Sequence, residues 1–159
     1  MFDNNKQARY RLWTNSKTTV YNYGAGLDVR YVLSDKYSVS GNVSYAALKK
    51  TDQNDGLEDG FNTPAWMVNT AFSGDKFFKN ISFNVSAKYQ SGYYWQSFLV
   101  NGDVAAVFNL DCYVGYTFKN TLLNIKAGGT NVLNKYYYSY LGGPQIGAYY
   151  YTTFTYHIK

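Results

Sequence analysis

Apolar and polar residues alternate with a strict period of two along most of this chain, and that pattern leaves few folds open. Its cleanest instance sets Ile81, Phe83, Val85, Ala87 and Tyr89 against Ser82, Asn84, Ser86, Lys88 and Gln90. A helix would scatter those apolar side chains around its circumference, whereas a strand puts all of them on one face. The same period runs through about 18–33, where Tyr21, Tyr23, Ala25, Leu27, Val29, Tyr31 and Leu33 oppose Asn22, Gly24, Gly26, Asp28 and Arg30. Ser34-Asp35-Lys36 then predicts a tight turn into a partner strand carrying Tyr37, Val39, Gly41, Val43, Tyr45 and Ala47 on one face. Further strands are predicted at about 64–73, 81–90, 107–118 and 123–127. The closing strand sets Tyr150, Thr152, Phe154, Tyr156 and Ile158 against Tyr151, Thr153, Thr155 and His157. That makes about seven antiparallel strands in an all-β chain.

The connections between them are sorted by length. Those at 34–36, 74–80 and 119–121 are short, and those at 51–63, 91–106 and 131–147 are long. Strands that run up and down across a membrane put their short periplasmic turns on one side and long extracellular loops on the other. A soluble β-sandwich has no reason to sort its loops in this way. The order also directs the last strand downward, so that the chain leaves it on the periplasmic side.

Composition agrees with a membrane barrel. Aromatic residues make up 20% of the 159 residues, with 19 Tyr, 10 Phe and 3 Trp. Tyr and Trp gather where one end of a side chain meets lipid and the other meets water, the situation of the aromatic girdles of outer-membrane barrels. A mean hydropathy of -0.38 with no apolar run near 18 residues excludes a conventional membrane helix, yet it is ordinary for a barrel whose lumen face is polar. The net charge of +5 is spread over predicted turns, at Lys36, Lys76, Lys79 and Lys119, with no basic stripe along one element, which argues against a nucleic-acid partner. The first residues, MFDNNKQARYRLWTN, contain no apolar leader segment. An exported protein needs one, so the chain is expected to be a piece of a longer precursor or a mature form.

Several stretches resemble the C-terminal strands of TonB-dependent outer-membrane receptors, in particular SusC-like and related nutrient transporters. They are FNTPAWMVNTAF at 61–72, KNISFNVSAKYQSGYYWQSFLVNG at 79–102, NLDCYVGYTF at 109–118 and IKAGGTNVLNKYYYSYLGGPQIGAYYYTTFTY at 125–156, with YGAGLDVRYVLSDKYSVSGNVSYAAL at 23–48 also fitting. The run Gly-Gly-Thr-Asn-Val-Leu-Asn-Lys at 128–135 is the most specific. The resemblance implies a transmembrane barrel segment of about seven strands within a barrel of about 22 strands and a plugged lumen. On this reading residues 1–17 form a partial strand or an extracellular loop, and 18–159 form the C-terminal part of the barrel. The implied partners are outer-membrane lipid, the missing N-terminal strands and plug, a TonB-type energy-coupling protein acting through that plug, and, as an optional addition, a surface lipoprotein. A fragment of this kind would not transport by itself. One departure is the ending Phe154-Thr-Tyr-His-Ile-Lys159, which lacks the terminal aromatic common in outer-membrane barrels.

Two other readings fit the pattern less well. One is a complete small barrel, which would need an additional strand in 1–17, where Ala8, Tyr10, Leu12 and Thr14 alternate only weakly with Arg9, Arg11 and Trp13. The other is a soluble, aromatic-rich β-sandwich, which would have to bury its apolar sheet faces against one another.

Nothing in the chain assembles an active site. The single His157 has no partner motif around it, so the protein is expected not to be an enzyme and to need no cofactor. Asp52, Asp55, Glu58 and Asp59 surround Gly56 but miss the calcium-loop template, because the twelfth position would be Asn62 where Glu is required. They read as a solvated loop. The lone Cys112 lies among Phe108, Leu110, Val114 and Tyr116 and reads as a small apolar residue of the outward face. The candidate ligand contacts are Tyr93, Tyr94, Trp95, Gln96 and Phe98 in the second long loop, and Tyr138, Tyr140 and Gln145 in the third. Aromatic faces there can stack on sugar rings or flat chelators, with the amides adding hydrogen bonds. The alternative role for these side chains is to continue the aromatic girdle.

Overall fold

The computed structural model describes residues 15, 18–50, 60–78, 80–97, 99–119, 121 and 123–158. In chain order the strands are β1 Val20–Ser34, β2 Tyr37–Lys50, β3 Trp66–Phe77, β4 Ile81–Gln90, β5 Tyr93–Trp95, β6 Gly102–Val104, β7 Val107–Thr117, β8 Leu123–Thr130, β9 Tyr137–Tyr138, β10 Gln145–Ile146 and β11 Tyr149–Tyr156. Seven of them form one sheet in the order β1-β2-β3-β4-β7-β8-β11, and every pairing is antiparallel. The two remaining pairs, β5/β6 and β9/β10, are small hairpins inside the second and third long connections.

Register keeps the two faces distinct across the whole sheet. One row of directly opposed residues runs Tyr31, Val39, Phe72, Val85, Cys112, Gly129 and Tyr150, one from each strand in turn. A row on the opposite face runs Asp28, Asn42, Asn69, Lys88 and Asn109. A slip of one residue at any pairing would interleave the two sets, so the alternation itself selects the register. The apolar row begins near the short-turn end of β1 and finishes at the long-loop end of β11. Such a stagger, about one residue per strand, is what tilted strands need in order to close into a barrel.

Among the described residues the sheet is one layer with nothing over its apolar face. Among the described residues the buried apolar side chains are only Val104 and Val107, while Leu27, Tyr31 and Phe154 are 63%, 64% and 69% exposed. A soluble sandwich would use those side chains as its core. Here they point outward and need an apolar solvent, and the second sheet of the sandwich reading is absent from the described residues.

Aromatic residues divide that face into bands. At the short-turn end Tyr37, Phe72 and Phe83 cluster with ring centroids 5.4 to 6.4 Å apart, and Tyr116 meets Phe118 edge-on at 4.7 Å. At the long-loop end Tyr45 packs on Trp66 at 4.8 Å, Tyr89 stands directly opposite Phe108, and Tyr150 lies at the start of β11. Six to eight residues separate the two bands on β2, β3, β4, β7 and β11, about 20–27 Å along the backbone. Between them lie Leu27, Val43, Val68, Val85, Leu110 and Cys112, so Cys112 does serve as a small residue of the outward face. These are the flanking girdles and apolar belt of an outer-membrane barrel.

Gly74 belongs to the lower band. It pairs with both Tyr37 and Phe83, and a Cβ placed on it would run into the Phe83 ring. Gly74→Val is therefore expected to push Phe83 out of the cluster and cost about 1–3 kcal/mol, with Gly74→Ala at the low end. Urea-titrated refolding of the complete barrel into lipid vesicles measures this.

Two expectations need correction. The connection placed at 74–80 is shorter, because β3 continues to Phe77 through an irregular register step and Asp75 N–H donates to the Lys36 carbonyl at 2.8 Å. Gly74-Asp75-Lys76 looks like a turn in sequence, yet a strand that extends beyond the apolar belt is free to carry polar residues into water. Lys76 accordingly lies within a strand. The long connections at 91–106 and 131–147 are also more ordered than plain loops, since each holds a hairpin. Of residues 1–17, considered for an extra strand, only Asn15 is described, and the acidic loop at 51–59 lies outside the described residues.

Candidate functional site

The polar face and the long loops meet at one end of the sheet, and the side chains placed there are tightly interlinked. On the polar face Asn69 Nδ2 donates to Asn42 Oδ1 at 2.8 Å, and Asn84 Nδ2 donates to Ser73 Oγ at 2.8 Å. Lys126 lies over the Tyr113 ring with its Nζ 3.5 Å from the centroid. Lys88 pairs with Asp111 at 2.6 Å, the lysine half-exposed and the carboxylate largely covered. Each of these links joins neighbouring strands, which stiffens the wall while leaving its surface hydrophilic.

Asp111 also anchors the turn that follows β8. Its Oδ1 accepts the Asn131 backbone N–H at 2.9 Å, while Asn131 Nδ2 donates to the Lys135 carbonyl at 2.9 Å. Asn131 and Asn134 both have left-handed backbones, φ 48 and 50, a conformation Asn tolerates better than most residues. Asn134 N–H closes the turn on the Asn131 carbonyl at 2.8 Å, and Asn134 Oδ1 accepts from Ala148 N–H at 3.0 Å. The two asparagines of the Asn-Val-Leu-Asn run thus fold the third loop back over the polar face and tie its far end to its beginning.

The loops are strapped to one another. Gln96 N–H donates to Asn62 Oδ1 at 2.7 Å, Asn62 Nδ2 returns a bond to the Gln96 carbonyl at 2.8 Å, and Gly60 N–H reaches Gln96 Oε1 at 2.8 Å. The segment before β3 is thereby fixed to the β5/β6 hairpin. On its other side this hairpin meets the third loop, where Tyr93 Oη donates to the Ser139 carbonyl at 2.7 Å and Trp95 packs on Tyr140 at 5.5 Å. The result is a preassembled cap over one sector of the mouth.

This placement separates the sequence-derived candidates. Tyr93, Trp95, Gln96 and Tyr140 come together, and each joins one loop to another. Tyr94, Tyr138 and Gln145 are exposed, with Tyr138 opposite Gln145 in the β9/β10 pair. Tyr94 borders an opening of about 250 Å³ with Leu48, Phe61, Asn62 and Thr63. Phe98 lies outside the described residues. Sequence reasoning passed over Asn62, Lys88, Asn109 and Asp111, whose residue types are ordinary for strands and loops. The repeated asparagines at 131 and 134 were the one visible signal.

Burial raises the Tyr93 phenol above its ordinary value of 10.0. The neutral phenol is the form that donates to Ser139, so the strap is intact below the ordinary pKa and is lost as pH climbs through the raised one. Tyr93→Phe is expected to remove about 1 kcal/mol of local stability and to abolish that alkaline dependence. Hydrogen exchange of the 93–104 amides, followed against pH, reads both effects.

A staggered antiparallel sheet with an apolar face between two aromatic bands, a polar face and loops of one kind at each end defines the wall of an outer-membrane β-barrel. The chain belongs to the outer membrane protein beta-barrel family, whose model matches residues 1–157, and its location is the cell outer membrane. Among solved structures it is similar to P. aeruginosa FpvA bound to a heterologous pyoverdine and iron, with a TM-score of 0.65 and 12% identity over 85% of this chain. It is likewise similar to FpvAI in complex with pyocin S2, with a TM-score of 0.66 and 14% identity over 85% of this chain. Both neighbours are TonB-dependent receptors, and the match falls on the barrel portion. The chain spans 19% of the length of each. No curated protein matches it.

Proposed function

We propose that this chain is the C-terminal portion of the barrel of a TonB-dependent receptor that takes up a scarce nutrient of the iron-chelate, cobalamin or glycan class. The observation that carries the reading is the continuous stagger of a two-faced, seven-stranded sheet whose interlocked loops all lie at one end. The apolar face contacts lipid, the strapped loops form a sector of the external mouth, and the polar face borders the lumen and a plug supplied from outside these residues. Energy would enter through that plug from a TonB-type protein, with a surface lipoprotein as an optional partner at the mouth. The wall contributes binding and enclosure, with no catalytic step, and by itself it does not transport: in a lone sheet of this kind β1 and β11 would expose unpaired edges.

Uptake by cells carrying the complete receptor, compared with cells lacking it, tests the reading when siderophore-bound iron, cobalamin and oligosaccharides are supplied in turn. The expected result is loss of accumulation of one class, together with abolition of that uptake when a protonophore collapses the inner-membrane gradient. Entry that persists without the gradient would make the barrel a passive pore and overturn the proposal.

A further inference from the structure

The β5/β6 hairpin closes through a tip at 96–101, and that tip joins β6 at a dipeptide found once in the chain: Asn101-Gly102 is the one place where glycine follows asparagine. Every other asparagine precedes a residue whose side chain crowds the backbone nitrogen next to the amide. Asn101 is exposed, and its Oδ1 accepts the Ser97 N–H at 2.9 Å. Ser97 is itself held in place, because its Oγ donates to the Val100 carbonyl at 2.9 Å and accepts the Val100 N–H at 3.1 Å. Gly102 has a packing reason to lack a side chain. A Cβ there would stand 3.0 Å from Leu141 Cδ1 of the third loop. The contact between loops therefore keeps the glycine that leaves Asn101 unshielded.

Asparagine amides are among the thermolabile groups of proteins, and this one has what the reaction needs. The Gly102 nitrogen, on losing its proton to base, forms a bond to Asn101 Cγ and closes a five-membered ring. Attacker and target sit on adjacent residues, so the step carries the high effective concentration of tethered groups. Negative charge gathers on Oδ1, where the Ser97 N–H already points, and that donor stabilises the developing oxyanion. Collapse breaks the Cγ–Nδ2 bond, and the nitrogen takes up a proton and leaves as ammonia. Water then opens the cyclic imide at either carbonyl. The product is aspartate or its β-linked isomer, in which the main chain runs through Cγ and is one methylene longer.

We propose that Asn101 is a self-modifying site, and that its conversion to isoaspartate loosens the cap over the mouth as the protein ages. Gly102 pairs with Trp95 and abuts Leu141, while Trp95 packs on Tyr140. A longer backbone immediately before Gly102 cannot satisfy these contacts together, so the junction of the second and third loops loses its alignment. The new carboxylate lies two residues from the exposed Asp103, but in water that repulsion is screened. The inserted methylene is the larger perturbation. This inference goes beyond the transporter reading and does not depend on it.

The test holds the complete receptor, purified in detergent, for weeks in warm, mildly alkaline buffer made with heavy-oxygen water, followed by peptide mass spectrometry. Label from the water should enter at residue 101 about tenfold faster than at any other asparagine, and isoaspartyl methyltransferase should tag the same peptide. Hydrogen exchange of the 93–104 amides should become about tenfold faster in the aged protein. Asn101→Gln, whose longer side chain closes no five-membered ring, should show neither the label nor the faster exchange after the same incubation. Freshly prepared Asn101→Asp, which adds the charge on an unaltered backbone, should exchange like unaged protein. An Asn101 that stays intact, another asparagine that converts first, or aged protein with unchanged exchange would overturn the proposal. Fast exchange already present in fresh Asn101→Asp would overturn the role given to the lengthened backbone.

Discussion

Val85→Arg should cost about 2–4 kcal/mol of folding stability in a bilayer, whereas Ser86→Arg, one residue further on, should cost less than about 1 kcal/mol. Val85 stands on β4 between the lower-band Phe83 and the upper-band Tyr89, opposite Phe72 and Cys112, and it is 41% exposed on the face assigned to lipid. An arginine there must either enter the hydrocarbon or draw water and headgroups toward it. Ser86 points to the polar face and pairs directly with Asp111, so the same side chain at that position meets a carboxylate and water. Equilibrium refolding of the complete barrel into vesicles, titrated with urea, gives both numbers. Equal costs at the two positions would mean that the faces have been assigned the wrong way or that neither of them meets lipid.

Asp111→Ala should be the most damaging change on the polar face, at about 2–3 kcal/mol. The carboxylate holds two elements at once, the Lys88 ammonium of β4 and the Asn131 N–H that opens the third loop. The two contacts differ greatly in weight. Lys88 is half-exposed and returns to water when its partner is removed, so the ion pair contributes under about 1 kcal/mol. The Asn131 N–H is buried and would be left without an acceptor. Asp111→Asn, which keeps a carbonyl oxygen for that N–H, should recover most of the loss, and Lys88→Met should cost little. A double-mutant cycle over Lys88 and Asp111 isolates the pair. A Lys88→Met cost as large as that of Asp111→Ala would show that the ion pair, and not the turn, is what Asp111 maintains.

The sheet was legible in the sequence because a membrane wall writes its two solvents into alternate residues. Ile81 to Gln90 carry that signal so strongly that both ends of β4 fall where the pattern ends. The limits of β3 were harder to read, since Gly74, Asp75 and Lys76 lie past the apolar belt, where strand and turn share the same polar vocabulary. The β5/β6 and β9/β10 hairpins escaped for a related reason. With two or three residues to a strand they are too short for periodicity to show, and they are held by contacts between loops distant in sequence, such as Tyr93 with Ser139. The aromatic loop residues were identified as a group, but their division into clamps and open side chains depends on which loop lies beside which. The Asn-Val-Leu-Asn run was visible as a turn, but the tie of Asn131 to Asp111 across 20 residues is a property of three-dimensional placement.

The measurement that bears most directly on the wall is a nitroxide scan of residues 81–90 in the complete receptor, reconstituted in lipid bilayers on a Cys112→Ser background, with accessibility to oxygen and to a water-soluble nickel chelate recorded at each position. The predicted result is a period of two, with labels at Ile81, Phe83, Val85, Ala87 and Tyr89 open to oxygen and shielded from nickel, deepest at Val85 and Ala87, and labels at Ser82, Asn84, Ser86, Lys88 and Gln90 lacking that lipid signature. A profile without alternation, or one with the two sets exchanged, would contradict a barrel wall built in this register.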